Sequence, residues 1–365
     1  MWKTCFLLLI MLVVAGAAPQ RDETIVPLEG LDPVLLTRGE EAQGDEQLPV
    51  RRGRFRYLFA RAETKAAFEK EPARYEIQLG GACARMGPTV QGNPDLYAVH
   101  AGRIYLFGSP ACLTAFKARP ERFLETEAAA APASEEARAR GRALLERAVE
   151  AAGGAARLDG LVSYQERATV GARTPQGTGE IKTALVVVYP DRVRQERTLP
   201  FGRIATVLTP GGGFFVLPRG VGEITDVQRA EYEKLFSLSP LAILRARRAA
   251  GFTAAAAGAG KAGEAAVELV DVAFGGVRAR LGVDPATGRV LSLSYRGRGD
   301  QGAFGQIVRT YSDFRDAGGL TLPFKTAGTF DGEPDPAQSS TVESIVINGE
   351  VSPALFERPK PAAGQ

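Results

Sequence analysis

Side chains that carry covalent or metal chemistry are scarce in this chain: one histidine, three cysteines and three methionines among 365 residues. With His100 alone there is no H-E-x-x-H zinc arrangement, and any Ser-His-Asp or Cys-His hydrolase would have to be built on it. No G-x-S-x-G turn is present, and Cys83 has no evident activating partner in the sequence. Gly211-Gly212-Gly213 lacks the lysine and following helix of a phosphate loop, so it reads as a tight turn between strands. Charge of one sign is missing too. The 45 basic residues face 42 acidic ones, a formal +3 with no basic block interleaved with aromatics, which excludes nucleic acid as the partner class. No apolar run reaches the ~20 residues that a membrane helix needs. These absences point away from an enzyme and its cofactors, and towards a binding or scaffold protein.

What is present is enough apolar material, 45%, for a full core, at a length that fits two domains. Met1-Trp2-Lys3, the apolar run Cys5–Val14 and Ala15-Gly16-Ala17-Ala18 form the charged head, short hydrophobic stretch and small-residue site of a signal peptide, residues 1–17. Cys5 precedes the apolar run, where a lipid-modified cysteine would not sit. The expectation is a soluble exported protein, periplasmic or extracellular, with residues 18–29 as a flexible lead-in.

Residues 30–124 carry an internal repeat. Phe107, Phe116, Pro120 and Phe123 recur upstream as Phe59, Phe68, Pro72 and Tyr75, offset by 48 residues. The same shift lays Arg103-Ile104-Tyr105-Leu106-Phe107 on Phe55-Arg56-Tyr57-Leu58-Phe59, an alternating run that predicts a strand leading into a helix. Each unit is thus a hairpin, a short helix and a closing proline. Under that shift Cys83 falls on Leu35 and Cys112 on Thr64, so the second copy alone has thiols.

From 125 to 133 the composition turns to alanine, acid and proline, a linker. Ser134 with Glu135 and Glu136 predicts a helix start, and Leu144, Leu145, Ala148 and Val149 recur at helical spacing until Gly153-Gly154 ends it. Eleven short alternating runs between Ser163 and Ile347 then predict an antiparallel sheet that must curl to cover its apolar face. One helical insertion, Asp226 to Arg248, split by Pro240, interrupts it and is expected against the inner face. The predicted fold class is α+β: a small duplicated ββα unit, then a curled antiparallel half-barrel with lid helices over 134–359, and a disordered tail, 360–365.

The repeat resembles the YHS domain, whose pattern runs roughly D-P-V-C, then G-x-x-Y-x-F-C-S-x-x-C-x-x-x-F-x-x-x-P-x-x-Y. The first copy offers Asp32-Pro33-Val34-Leu35, Gly53, Tyr57, Phe59, Phe68, Pro72 and Tyr75 without a cysteine. The second keeps Cys83, Gly102, Tyr105, Phe107, Ser109, Cys112, Phe116, Pro120 and Phe123, with Gly108 in place of the remaining cysteine. Residues 134–359 resemble the lipoprotein-carrier fold of outer-membrane lipoprotein-sorting proteins. That resemblance rests on Val283-Asp284-Pro285-Ala286-Thr287-Gly288-Arg289-Val290, Tyr311-Ser312-Asp313-Phe314-Arg315, Gly319-Leu320-Thr321-Leu322-Pro323-Phe324 and the closing Ile347-Asn348, Phe356 and Pro359. It implies an incomplete barrel with a lidded apolar cavity for acyl chains.

The YHS resemblance implies that Cys83 and Cys112 are neighbours in space. In an exported protein they would pair as a disulfide, worth about 3 kcal/mol over such a loop. Alternatively they would hold Cu or Zn with His100 or Met86, as a metal sensor or metallochaperone, or stay as buried free thiols. Phe214, Phe215, Phe236, Phe252, Phe274 and Phe304, with Leu235, Leu241 and Leu244, are candidates to line an apolar cavity of several hundred Å³, or are ordinary core. The partner expected is an apolar ligand such as a lipid or lipoprotein acyl chain, with the repeat docking an envelope protein or fixing orientation.

Overall fold

The computed structural model describes residues 24–125, 133–174, 177–200, 202–299 and 301–359. The expected signal peptide, the expected tail and all but the ends of the expected linker lie outside these residues.

The repeat is written into the backbone. In the first unit a single turn, α1 (Pro33–Leu36), precedes the hairpin β1 (Asp45–Arg52) and β2 (Phe55–Phe59), then α2 (Ala62–Lys70) and the turn α3 (Pro72–Tyr75). The second unit adds two short strands, β3 (Ala82–Cys83) and β4 (Gly87–Gln91), before its hairpin β5 (Asn93–His100) and β6 (Arg103–Phe107), and ends with α4 (Pro110–Ala118) and a 3-10 turn at Pro120–Arg122. Alternation on β2 and β6 turns the aromatic rings onto the helix that follows. Phe59 meets Phe68 at 5.1 Å and Tyr57 meets Phe68 at 5.0 Å; their counterparts Phe107 and Tyr105 meet Phe116 at 5.0 and 5.5 Å. Each such pair adds about 1 kcal/mol beyond the area it buries. The units share a core, since Ile104 and Leu106 pack with Leu28, Tyr57 and Phe68 of the first. Residues 24–29, expected within a flexible lead-in, join it as well: Ile25 bridges Phe55 and Leu28 is fully buried.

The second region opens with α5 (Glu135–Ala151), whose first turn is capped by Ser134 Oγ accepting from Ala137 N–H at 3.1 Å, and α6 (Ala155–Asp159). Six strands follow as a meander: β7 (Ser163–Thr174), β8 (Gly177–Val188), β9 (Arg192–Leu199), β10 (Gly202–Thr209), β11 (Gly212–Leu217) and β12 (Gly220–Glu223). The helical insert supplies α7 (Asp226–Phe236) and α8 (Pro240–Arg245). A second meander then runs through β13 (Thr253–Ala262), β14 (Ala265–Phe274), β15 (Val277–Val283), β16 (Val290–Arg298), β17 (Phe304–Ala317) and β18 (Leu320–Phe330); β19 (Glu333–Pro334) lies beside β18, and β20 (Ser340–Ile347) closes the chain.

These strands form one open sheet in the order β12-β11-β10-β9-β8-β7-β20-β18-β17-β16-β15-β14-β13. Its free edges are β12 and β13, and the insert is the connection between them. The last strand is inserted between the two meanders. It pairs with β7 from Ser340–Val170 to Ile347–Tyr164, but meets β18 at Lys325–Thr341 and Thr326–Ser340 alone. The sheet exceeds the expected eleven strands by β12, β13 and β19. The run Thr253–Ala262, TAAAAGAGKA, has the composition of neither a strand nor a core; it becomes one because α5 lies directly over it. At Gly141 an added Cβ would come within 2.6 Å of the Ala255 backbone, so small residues on both sides permit the approach.

Candidate functional site

The inner face of the sheet is covered by α5, α6 and α8. Leu144, Leu145 and Val149 from α5, with Leu238, Ile243 and Leu244 from the insert, form one cluster with Val270, Leu281, Leu293, Ile307 and Leu320 of the strands. Thr225 and Gln228 form a reciprocal cap on α7, and Ser239 Oγ accepts from Ala242 N–H at the start of α8. Pro240 at the first position of α8 needs no N–H partner there, so the break falls at Leu238-Ser239. That break is pinned to the sheet: Arg309 Nη1 donates to Leu238 O at 3.1 Å while its Nε and Nη2 hold Gln338 Oε1 at 3.1 and 2.8 Å.

Between α5, α8 and strands β16 to β18 a pocket remains, lined by Ala148, Leu241, Leu244, Val290, Phe314 and Leu322, with a volume of about 20 Å³. That is room for about one water, far below the several hundred Å³ expected for a bound chain. The insert's own side chains occupy the space.

The nine residues expected to line a cavity are dispersed. Leu241 and Leu244 line the pocket. Phe252 and Phe274 stack on each other at 5.3 Å at the margin of the same core. Phe215 meets Tyr232 of α7 edge-on at 5.8 Å, and Phe236 stacks on that tyrosine at 6.1 Å. Phe214, one residue along β11, faces the opposite side and packs with Val207 and Phe356 of the C-terminal turn. Phe304 lies under Arg298, and Leu235 stays 41% exposed.

Polar groups also reach the interior. Tyr164 donates its hydroxyl to Glu166, two residues along β7 on the same face. Burial pushes the Glu166 carboxyl above the usual carboxylate range, an effect the Tyr164 hydrogen bond partly offsets. The guanidinium of Arg245, the last residue of α8, lies 3.7 Å from the centre of the Tyr189 ring. Burial raises Tyr189, and Arg245 opposes the shift.

The repeat docks on the insert and on the β16–β17 hairpin. Gly80 lies so close to α7 that an added Cβ would fall 2.6 Å from Val227 Cγ2, and Lys234 pairs with Glu125 at 3.8 Å. The described residues of the hairpin loop, 297–299 and 301–305, are held: Arg298 Nη1 donates to Arg85 O at 3.1 Å and to Gly302 O at 2.8 Å, and Nη2 to Phe123 O at 3.0 Å. Ala303 enters the core of the second unit.

That core contains the thiols. Cys83 is fully buried on β3 and Cys112 is 6% exposed as the third residue of α4; both are free, without a disulfide, and they share one core cluster. Ser109 Oγ donates to Cys112 Sγ at 3.3 Å, and Arg85 Nη1 approaches it at 3.9 Å. Burial pushes the Cys112 thiol up, but the hydrogen bonds from Ser109, Cys83 and Arg85, with the arginine's charge, outweigh it and hold it below the ordinary thiol value. Met86 packs against the same cluster. His100 does not join the pair as a ligand: its ring sits edge-on to Phe116 at 5.9 Å and lines an open cleft of about 400 Å³ with Leu36, Glu41, Tyr97 and Lys117. Among the described residues no group of three or more His, Cys, Asp or Glu side chains could hold a metal ion, and no helix is long and apolar enough to cross a membrane.

No family model and no curated protein matches the chain. Among solved structures it is similar to a putative outer membrane lipoprotein-sorting protein domain from Vibrio parahaemolyticus, at 13% identity and TM-score 0.39 over 58% of this chain and 95% of that one. It is also similar to a LolA-superfamily protein from Nitrosomonas europaea, at 11% identity and TM-score 0.41 over 60% and 97% of the two chains. A DUF1329-family protein from Desulfovibrio piger aligns at 12% identity and TM-score 0.42 over 60% and 97%. The YHS resemblance of residues 30–124 finds no support in these comparisons.

Several residues of these sites escape sequence reasoning. Phe314 enters the sequence reading only inside the Tyr311–Arg315 motif, with no place in the pocket, and Arg309 is one arginine among many. Arg85 carried a usable signal, a cation two residues beyond Cys83.

Proposed function

We propose that the chain is an exported, non-enzymatic binding protein whose curled sheet accepts an acyl chain or other apolar ligand when the insert between its edges withdraws. One observation carries this reading: the segment joining β12 to β13 seats Leu241 and Leu244 on the inner face, where a ligand would lie. Removing the insert breaks none of the sheet's ladder. Burial of two leucines is worth about 4 kcal/mol, an amount a bound apolar chain of similar area offsets. The repeat braces α7 and the β16–β17 hairpin, which anchors that end of the insert while α8 withdraws and orients the protein towards an envelope partner.

The test is uptake of a fluorescent fatty acid by the purified full-length protein, with extraction and mass spectrometry of lipid carried from its native envelope. Arg309→Ala frees the break between α7 and α8 and is expected to raise uptake severalfold. An extract without lipid, together with no uptake by either protein, overturns the proposal and leaves an exported scaffold.

A further inference from the structure

The two cysteines of the second repeat do more than fill space. We propose that Cys83 and Cys112 form a thiol–disulfide exchange site in which Cys112 attacks an organic disulfide and Cys83 resolves the mixed intermediate.

The roles follow from the surroundings of each sulfur. Cys112 Sγ receives the Ser109 hydroxyl at 3.3 Å and the Arg85 guanidinium at 3.9 Å, and it sits in the first turn of a nine-residue helix. Those donors favour the thiolate, which is the nucleophile. Arg85 Nε is buried without a hydrogen-bond partner, so this guanidinium is not neutralised by a carboxylate there. Cys83 is fully enclosed and lies in the same core cluster as Cys112, the placement a resolving thiol needs. Access is from the start of α4, where Pro110 and Ala111 are exposed and Cys112 keeps 6% of its surface.

The step balances as follows. The Cys112 thiolate attacks one sulfur of the co-substrate RS–SR, the S–S bond breaks, and RS⁻ leaves and is protonated. Cys83 then loses its proton and attacks Cys112 Sγ, closing Cys83–Cys112 and releasing the second RS⁻, which takes up a proton. Two protein thiols are oxidised and one organic disulfide is reduced to two thiols. Arg85 also donates through Nη2 to Gln301 Oε1 at 3.0 Å in the docked hairpin, so closure of the disulfide removes one partner of a residue that spans both regions.

The experiment uses the full chain carrying Cys5→Ser, with glutathione disulfide as probe and mass spectrometry as readout. The protein with both remaining cysteines should lose both thiols and keep no adduct. Cys83→Ser should accumulate a single stable adduct on Cys112, whereas Cys112→Ser should acquire one on Cys83 about tenfold more slowly. Ser109→Ala, which retains both thiols, should slow adduct formation severalfold. Equal rates for the two single variants, an adduct that persists when both cysteines are present, an unchanged rate in Ser109→Ala, or thiols that react only after denaturation would each overturn the assignment.

Discussion

The two copies of the repeat place different chemistry at one backbone station. The third residue of the helix is Thr64 in the first copy and Cys112 in the second, and the residue opposite is Leu35 or Cys83. In the first copy the buried Asp32 organises the station: its carboxylate accepts from Thr64 Oγ1 at 2.5 Å, from Ala60 N–H at 2.8 Å, and from Val34 and Leu35 N–H at 2.9 and 3.2 Å. The equivalent of Asp32 in the second copy is Gly80, which lies against α7 instead. One copy thus locks its helix to its lead-in with a satisfied buried carboxylate. The other leaves a pair of thiols among cations and spends its glycine on contact with the insert. The aromatic scaffold is the same in both, so the difference lies in what the scaffold holds: stability in one, reactivity and docking in the other.

Breaking the first copy should have the largest effect. Asp32→Ala leaves three buried or half-buried amides without their acceptor and the Thr64 hydroxyl with the Arg61 carbonyl alone, and is expected to destabilise the repeat by about 3 kcal/mol, read by denaturant unfolding followed through tyrosine fluorescence. Severing the second copy comes next. Arg298→Ala leaves the Arg85, Gly302 and Phe123 carbonyls unpaired and should cost about 2 kcal/mol, with hydrogen exchange rising at residues 82–87 while the helices of the first copy keep their protection. The smallest effect is expected away from both copies, at Glu166. Its carboxyl is raised by burial, so its contribution to stability is complete below the ordinary glutamate value and is lost as pH rises through the folded one. Glu166→Gln, which still accepts from Tyr164, should flatten that part of the stability profile in thermal melts across pH; a profile that stays the same contradicts the assignment.

The repeat was legible because rings at fixed spacing leave a signal that survives the loss of everything else, and Phe59–Phe68 and Phe107–Phe116 superimpose on that spacing. The insert was legible as a helical run from Asp226 to Arg248 split at Pro240. Strand β13 was not, because alanine and glycine carry no strand preference, and its place is set by a helix that needs small residues beneath it. The cavity was legible only as an apolar face. How far Leu241 and Leu244 descend into it depends on the depth of α8, which no periodicity encodes. Phe214 and Phe215 show the same limit, since both are phenylalanines on one strand and alternation alone sends them to opposite faces. The proximity of the two thiols came from the resemblance, whereas Ser109 and Arg85, which set their character, became visible only in three dimensions.

The placement of β20 has a further consequence. Each meander is stitched to itself by consecutive hairpins, and the two are joined across a narrow seam where β20 touches β18 at Lys325–Thr341 and Thr326–Ser340. A chain cut once within the insert would therefore keep every hydrogen-bonded neighbour, and its two fragments would reassemble through the final strand, as a zip is closed by its last tooth.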